Sequence, residues 1–337
     1  MIVYTRTTES MTSCMRTRCG SGDPVTRVWK KKQKNFHKIY EQITLSPGIP
    51  IYEIAEKTRL SRNTVSKYLG EMYEDMVLIG PQIRMLPAPD YKEYIHLMNF
   101  KNPYYVFRNL HGFPHILWYA VTYGDWNFMV ITDRQIDFSH LPEYEETVYQ
   151  GIRYHSATPR TDHTSWAKSF EKAFHEVKTF NPHREQKNRQ IAPVLDWGED
   201  EWKMYHAFKG NTRKTATTTL KEIHVRYESY VEWIRDLDTH CSTHTGFYPE
   251  GYPTYLNYCF LFSTSYEQTV KKIFSYLPTT PFFMEVGDQF MVFTNVALSG
   301  IVRKLFCLIF DMKTQGIIRD FNYATLLFQT EGELLPE

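Results

Sequence analysis

Hydrophobic positions change their period along the chain, and they do so twice in the same order. From Lys31, apolar residues recur every three or four positions in "KKQKNFHKIYEQIT", "IYEIAEKTR" and "LSRNTVSKYLGEMY". That spacing predicts three short helices, the first ended by "SPG" and the third capped by Ser61. Two short apolar runs around Gly80-Pro81, "VLIGPQIRML", read as a wing. The pattern then alternates. "EYIHLMNF", "ILWYAVTY", "NFMVITDR" and "IRYHSAT" predict strands, with helices in "PYYVFRNLHG" and "SHLPEYEETVYQ". The second half starts with three short helical segments and continues with the strand "YLNYCFLFS". There follow the helix "YEQTVKKIFSYL", strands "TPFFMEV" and "QFMVFTNV", the helix "SGIVRKLFCLIFDMK" with Ser299 as N-cap, and the strand "IIRDFNYATLLF".

Three anchors mark the repetition. Leu60 matches Val225 at an offset of 165, "GDWNFMVIT" at Gly124 matches "GDQFMVFT" at Gly287 at 163, and "QGI" at Gln150 recurs at Gln315 at 165. The predicted fold is α+β: two tandem repeats of a winged helix-turn-helix followed by a ferredoxin-like βαββαβ domain. The boundaries are a disordered basic arm over 1–31, winged helix-turn-helix units over 32–90 and 196–253, and ferredoxin-like domains over 91–160 and 254–330. A connector over 161–195 joins the halves. In it "SWAKSFEKAFHEV" sets Trp166, Phe170, Phe174 and Val177 on one helical face, expected to pack on the first half, and "NPHREQKNRQ" reads as a solvated linker. Each Gly-Asp pair is first of all a hairpin turn, because both residues tolerate positive φ.

Composition adds limits. The 337 residues are 42% hydrophobic and 16% aromatic, enough for two to four small cores. No apolar run suits a membrane span or a signal peptide. Five cysteines without framework spacing, with Cys259 and Cys307 in apolar runs, suggest buried thiols and a reducing cytoplasm. Residues 1–35 carry eight cations against two acids, while the rest carries 31 against 36. Any nucleic-acid contact by the folded body therefore needs a local patch. Translation starting at Met11 or Met15 would remove much of the arm.

One such patch is the exposed face of the third helix. Lys57, Arg59, Ser61, Arg62, Asn63, Thr64, Ser66 and Lys67 are polar or basic, and no acid falls between Lys57 and Lys67. Arg62 and Asn63 are the expected base readers, Ser61, Thr64 and Lys67 the phosphate contacts, and Arg84 a phosphate contact from the wing. The second unit keeps apolar residues at Leu220, Val225, Tyr230 and Ile234 but sets Glu228 and Glu232 where the first has Asn63 and Lys67. Arg213, Lys214, Lys221, Arg226 and Tyr227 are its candidate contacts. The partner so read is double-stranded DNA.

The stretches "IAEKTRLSRNTVSKYL" and "AVTYGDWNFMVIT" resemble the Lrp/AsnC (feast/famine) family of prokaryotic transcription regulators. The resemblance covers both halves, about 260 residues. It implies a sequence-specific DNA-binding regulator that is not an enzyme, with sheet domains that pair and hold a small effector near the Gly-Asp turn. Gly124, Asp125, Gly287 and Asp288 are then the effector candidates. Two copies in one chain imply a pseudo-dimer, or a homodimer of such chains. The tandem repeat departs from the family's one-copy chain, and the effector pattern is not matched well enough to assign a ligand.

Two other readings stand beside it. The sirohaem decarboxylases are similar in fold to that family, and His111, His115, His155 and "HCSTH" at His240 would serve a tetrapyrrole site. A scaffold that binds neither DNA nor tetrapyrrole is the third. His240, Cys241 and His244 lack a fourth ligand in register and read as a polar wing loop, so neither a metal nor a cofactor is expected. Phosphate loops, nucleophile elbows and paired-cysteine zinc patterns do not occur. Glu145-Glu146 and Glu199-Asp200-Glu201 read as solvated faces or helix starts.

Overall fold

The computed structural model describes residues 24–183, 185–187, 189–297 and 300–331. The arm expected over 1–31 lies outside these up to residue 23, and helix α1, Pro24–Leu45, takes the rest. Ser299 also lies outside; helix α10, Ile301–Thr314, is preceded by Gly300. No helix among the described residues is long and apolar enough to cross a membrane.

The fold is α+β. Helices α1, α2 (Ile51–Thr58) and α3 (Arg62–Glu74) enclose Phe36, Ile39, Ile43, Ile54, Val65, Leu69 and Met72. The Thr64 N–H donates to Ser61 Oγ at 3.1 Å, the expected cap. The second three-helix unit is α6 (Glu199–Phe208), α7 (Ala216–Glu222) and α8 (Tyr227–His240). Its core corrects one expectation. Ile234 stands 38% exposed, while Trp233 and Leu237 are buried. The indole removes more apolar area from water, and it sets the rotation of α8.

The wing is also corrected. Residues 78–85 form one strand, β1 (Leu78–Met85), bulged at Gly80-Pro81. It pairs antiparallel with β6 (Cys241–Phe247) from the other half, so each unit supplies half of a two-stranded sheet. "HCSTH" is therefore the end of α8 and the start of β6, with Cys241 and His244 buried.

Eight further strands close a barrel in the order β10-β3-β4-β2-β5-β8-β9-β7. The first half supplies β2 (Glu93–Phe100), β3 (Ile116–Gly124), β4 (Phe128–Thr132) and β5 (Tyr144–Ala157). From the second half come β7 (Leu256–Ser263), β8 (Phe282–Val286), β9 (Gln289–Val296) and β10 (Asp320–Glu331). Each set of four has the ferredoxin-like order, and the last strand of each pairs with the second strand of the other. Ile95, Leu97, Trp118, Trp126, Met129, Ile131, Met284 and Phe293 are among the residues that fill the interior. Outside, α4 (Pro103–Asn109) covers the first sheet and α9 (Glu267–Ser275) with α10 the second.

Five expectations fail for tertiary reasons. "SHLPEYEETVYQ" holds no helix. Its second part opens β5, which pairs with β2 from Arg153 to Tyr144, so the ladder satisfies backbone groups a helix would have used. Helix α5 (Trp166–Lys178) packs on the second half, with Phe170, Ala173 and Val177 buried against that sheet's helices. The linker is pinned. Glu185 accepts from the Gln268 and Thr269 N–H groups at the start of α9, at 2.7 and 3.1 Å, and Arg189 forks onto Glu267 at 2.8 and 2.7 Å. Finally, Cys307 is exposed, and the two "QGI" triplets are not equivalent: one lies within β5, the other follows α10.

Candidate ligand-binding site

A cavity of about 870 Å³ opens at one end of the barrel. Its floor is the interior itself. Trp118 on β3, Ile131 on β4 and Met284 on β8 point inward, with Leu117 and Phe282 beside them. Helix α6 forms the opposite wall. Met204, Tyr205 and Phe208 bury one face of it, and that leaves Trp202, Lys203 and His206 toward the cavity. Three acids in its first turn suit the positive helix end. Trp202 packs against Tyr91, centroids 5.6 Å apart, and stacks on His206 at 5.8 Å, making an aromatic shelf.

Charge is uneven in this cavity. Arg84, Arg134, Arg153, Lys203 and Lys209 line it against Glu93, Asp133 and Glu199, five permanent cations to three carboxylates. Each carboxylate is already matched. Glu93 meets Arg153 at 2.7 Å, Glu199 meets Lys203 at 2.5 Å, and Asp133 meets His115 at 3.2 Å and Arg134 at 3.6 Å. Arg153 also donates to the Met85 carbonyl at 3.0 Å, which fixes it as part of the wall. Arg84 has the Gln82 amide oxygen at 3.3 Å. The lining therefore carries more cations than carboxylates, a balance that suits an anionic ligand.

His115 has a specific geometry. Its φ is +67°, a left-handed conformation that costs a non-glycine residue about 1 kcal/mol or more. The Asp133 N–H donates back to the His115 carbonyl at 3.1 Å, and the Asp133 carboxylate faces Nδ1. The ring is thereby oriented, with Nε2 left for another partner. On the same wall the Tyr91 hydroxyl donates to Glu93 at 3.2 Å. Burial, then the Glu93 charge, pushes that hydroxyl's pKa well up, so it remains a proton-bearing donor.

The residues expected to touch DNA lie elsewhere, apart from Arg84, which lines the cavity. Lys57, Arg59, Ser61, Arg62, Asn63, Ser66 and Lys67 are exposed, and Thr64 is half-buried. The patch is less cationic than the sequence run suggests, because Glu53 stands 4.0 Å from Lys57 and Glu71 stands 3.9 Å from Lys67. Arg62 rests over the Tyr52 ring at 5.8 Å, and Ser61 and Thr64 bond one another at 2.8 Å. In the second unit Arg213 turns inward and donates to the Pro47 and Ile49 carbonyls, both at 2.8 Å. Lys214 donates to the Ala207 carbonyl at 2.7 Å, while Lys221, Arg226 and Tyr227 are exposed.

The Gly-Asp turns fasten the barrel. Asp125 bonds β10, and Gly287 donates its N–H to the Ile152 carbonyl of β5 at 2.8 Å. Asp288 accepts from the Tyr149 hydroxyl at 3.1 Å. Gly124, Asp125, Gly287 and Asp288 do not line the large cavity. Of the histidines weighed for a tetrapyrrole, only His115 lines it. Glu93, Arg153, Lys203, His206 and Lys209 carried no local sequence signal, since strands and helices from both halves bring them together.

No protein-family model and no curated protein matches this chain. Similar solved structures include a crystal structure of the siroheme decarboxylase NirDL, with TM-score 0.43 and 9% identity over 89% of this chain and 93% of that one. Another is the same decarboxylase in co-complex with an iron-uroporphyrin III analogue, with TM-score 0.40, 9% identity and the same coverage. These findings correct two expectations: the chain matches no Lrp/AsnC regulator model, and the similar structures belong to an enzyme, against the expected absence of enzymatic activity.

Proposed function

We propose that the cavity binds a large, mainly apolar molecule bearing several carboxylates, a tetrapyrrole of the sirohaem class, and that the protein releases carboxylates from it as carbon dioxide. The observation that carries this is the cavity itself. Its 870 Å³ lies near the top of the roughly 300–1,000 Å³ typical of small-molecule sites, and its cations outnumber its acids over an apolar floor and an aromatic shelf. A flat macrocycle suits the near-parallel rings of Trp202 and His206. Arg84, Lys203 and Lys209 hold carboxylates that stay on the ligand.

Loss of carbon dioxide breaks a carbon–carbon bond and leaves its electron pair on the ligand carbon. That carbon takes up one proton for each carboxylate released. His115 is the assigned donor, through Nε2, with Asp133 as its positioning residue. The apolar floor weakens hydration of a carboxylate lying against it and so favours its departure. Titration with sirohaem, followed by absorbance and by mass spectrometry, tests this. A shifted tetrapyrrole band with loss of carbon dioxide from the ligand is expected. Unchanged spectra overturn the binding, and binding without mass loss overturns the reaction.

A second reading rests on the exposed side chains of Arg59, Arg62, Asn63, Ser66 and Lys67. With the two three-helix units taken as winged helices, α3 contacts duplex DNA. Affinity that falls steeply with salt and that Arg62→Ala with Lys67→Ala weakens supports it; affinity unchanged by that pair removes it.

A further inference from the structure

A second cavity, of about 60 Å³, adjoins the first across Phe282, whose ring lines both. Strand β6 gives it His244, β7 gives Asn257, β9 gives Asn295, and Tyr248 and Tyr252 are also among its lining residues. Two of its polar atoms, His244 Nδ1 and Asn257 Oδ1, are buried with no hydrogen-bond partner among the described residues. His244 is only 4% exposed, and its ring stands edge-on to Phe282 with centroids 5.0 Å apart. The other ring nitrogen, Nε2, is held by Ser242 Oγ at 2.8 Å.

That arrangement is one-sided. A neutral imidazole bonded at Nε2 still offers one donor or acceptor at Nδ1. Burial above all, then the charges of Arg84 and Arg153, keeps this imidazole neutral by pushing its pKa well down. Leaving Nδ1 and an amide oxygen unsatisfied costs about 1–3 kcal/mol each. Water recovers that cost; its share of liquid volume is about 30 Å³, and a bound molecule makes two to four hydrogen bonds. The cavity has the room, and two unpartnered polar atoms belong to residues that line it.

We propose that the second cavity is a hydration site, holding about two hydrogen-bonded waters fixed by His244 Nδ1 and Asn257 Oδ1. This assignment stands on the cavity and its two polar atoms. Its use rests on the decarboxylase reading: the reaction consumes a proton after the ligand has filled the mouth, and these waters lie beyond Phe282, on the side away from the ligand.

A crystal structure of the ligand-free protein, with and without xenon under pressure, tests the site. Expected are ordered waters within hydrogen-bond reach of His244 Nδ1 and Asn257 Oδ1, and no xenon between them. Xenon in the cavity, or no water at either atom, overturns it. Stability of Asn257→Leu gives a second readout. A lowered unfolding midpoint is expected because the water loses its anchor; a raised one means the amide was unpaired and overturns the proposal. Neither measurement uses a tetrapyrrole, so a failure of ligand binding leaves this outcome separate.

Discussion

Asp125 and Tyr323 bond each other twice across 198 residues of sequence. The Asp125 N–H donates to the Tyr323 carbonyl at 2.9 Å, and the Tyr323 N–H donates to Asp125 Oδ2 at 2.8 Å. Gly287 and Asp288 make the corresponding join to β5 in the other half. The phrase that the chain repeats thus closes the barrel at its two seams, and the closed barrel gives the cavity its floor.

The first seam should be intolerant of a side chain at Gly124. An added Cβ would stand 2.3 Å from the Tyr323 carbonyl oxygen and 2.7 Å from Ala324 Cα, both backbone. Gly124→Ala is expected to cost about 2–4 kcal/mol in urea unfolding. At Gly287 the obstacle is the Tyr149 hydroxyl, which can swing away, and φ is +54°. Gly287→Ala should cost about 1 kcal/mol.

Removing a cation from the cavity should weaken binding without unfolding the protein. A charged hydrogen bond contributes about 1.5–3 kcal/mol, roughly tenfold to a hundredfold in Kd. Arg84→Ala is expected to show that loss in a sirohaem titration, while Lys221→Ala, which does not line the cavity, leaves Kd unchanged.

His115 and Asp133 should separate turnover from binding. His115→Gln is expected to lower the rate about 10²- to 10⁴-fold while Kd stays nearly constant. Asp133→Asn should give a smaller loss and a changed pH profile, because the ring keeps its place but loses its carboxylate. Single-turnover rates across pH check both.

Arg213 should be structural. Its guanidinium ties the second helical unit to the Pro47 and Ile49 carbonyls of the first. Arg213→Ala is expected to cost about 2 kcal/mol in thermal or urea unfolding. Exposed Arg226→Ala should stay within about 0.5 kcal/mol.

Acid should destabilise the fold between about pH 6.5 and 4. Burial pushes His96 down to about 4, so the unfolded chain binds a proton there that the folded chain refuses. Stability from this group is full above the unfolded pKa and falls as pH drops toward 4. Partial or full desolvation shifts half-buried His155, exposed His163 and buried His244 the same way. His96→Gln should flatten the fall in urea midpoint between pH 7 and pH 5.

Local pattern was enough for much of the framework. Helical spacing placed α2 and α3, Ser61 marked a cap, alternation placed most barrel strands, and the repeated Gly-Asp phrase announced turns that occur. Each of these is fixed by neighbours a few residues away. Where alternatives competed, partners distant in sequence chose: β2 drew residues 144–157 into a strand, β6 replaced the expected hairpin partner of β1, and α9 and α10 took α5. The cavity was the least legible feature. Arg84, His115, Arg153 and Lys203 share no spacing, because they come from a two-stranded sheet, two barrel strands or their ends, and a helix. Sequence by itself determined the repeat, the helices and strands, and the chemistry available at each position. Only the closed barrel, in which long-range pairing outweighs local preference, decided which of those groups face one another.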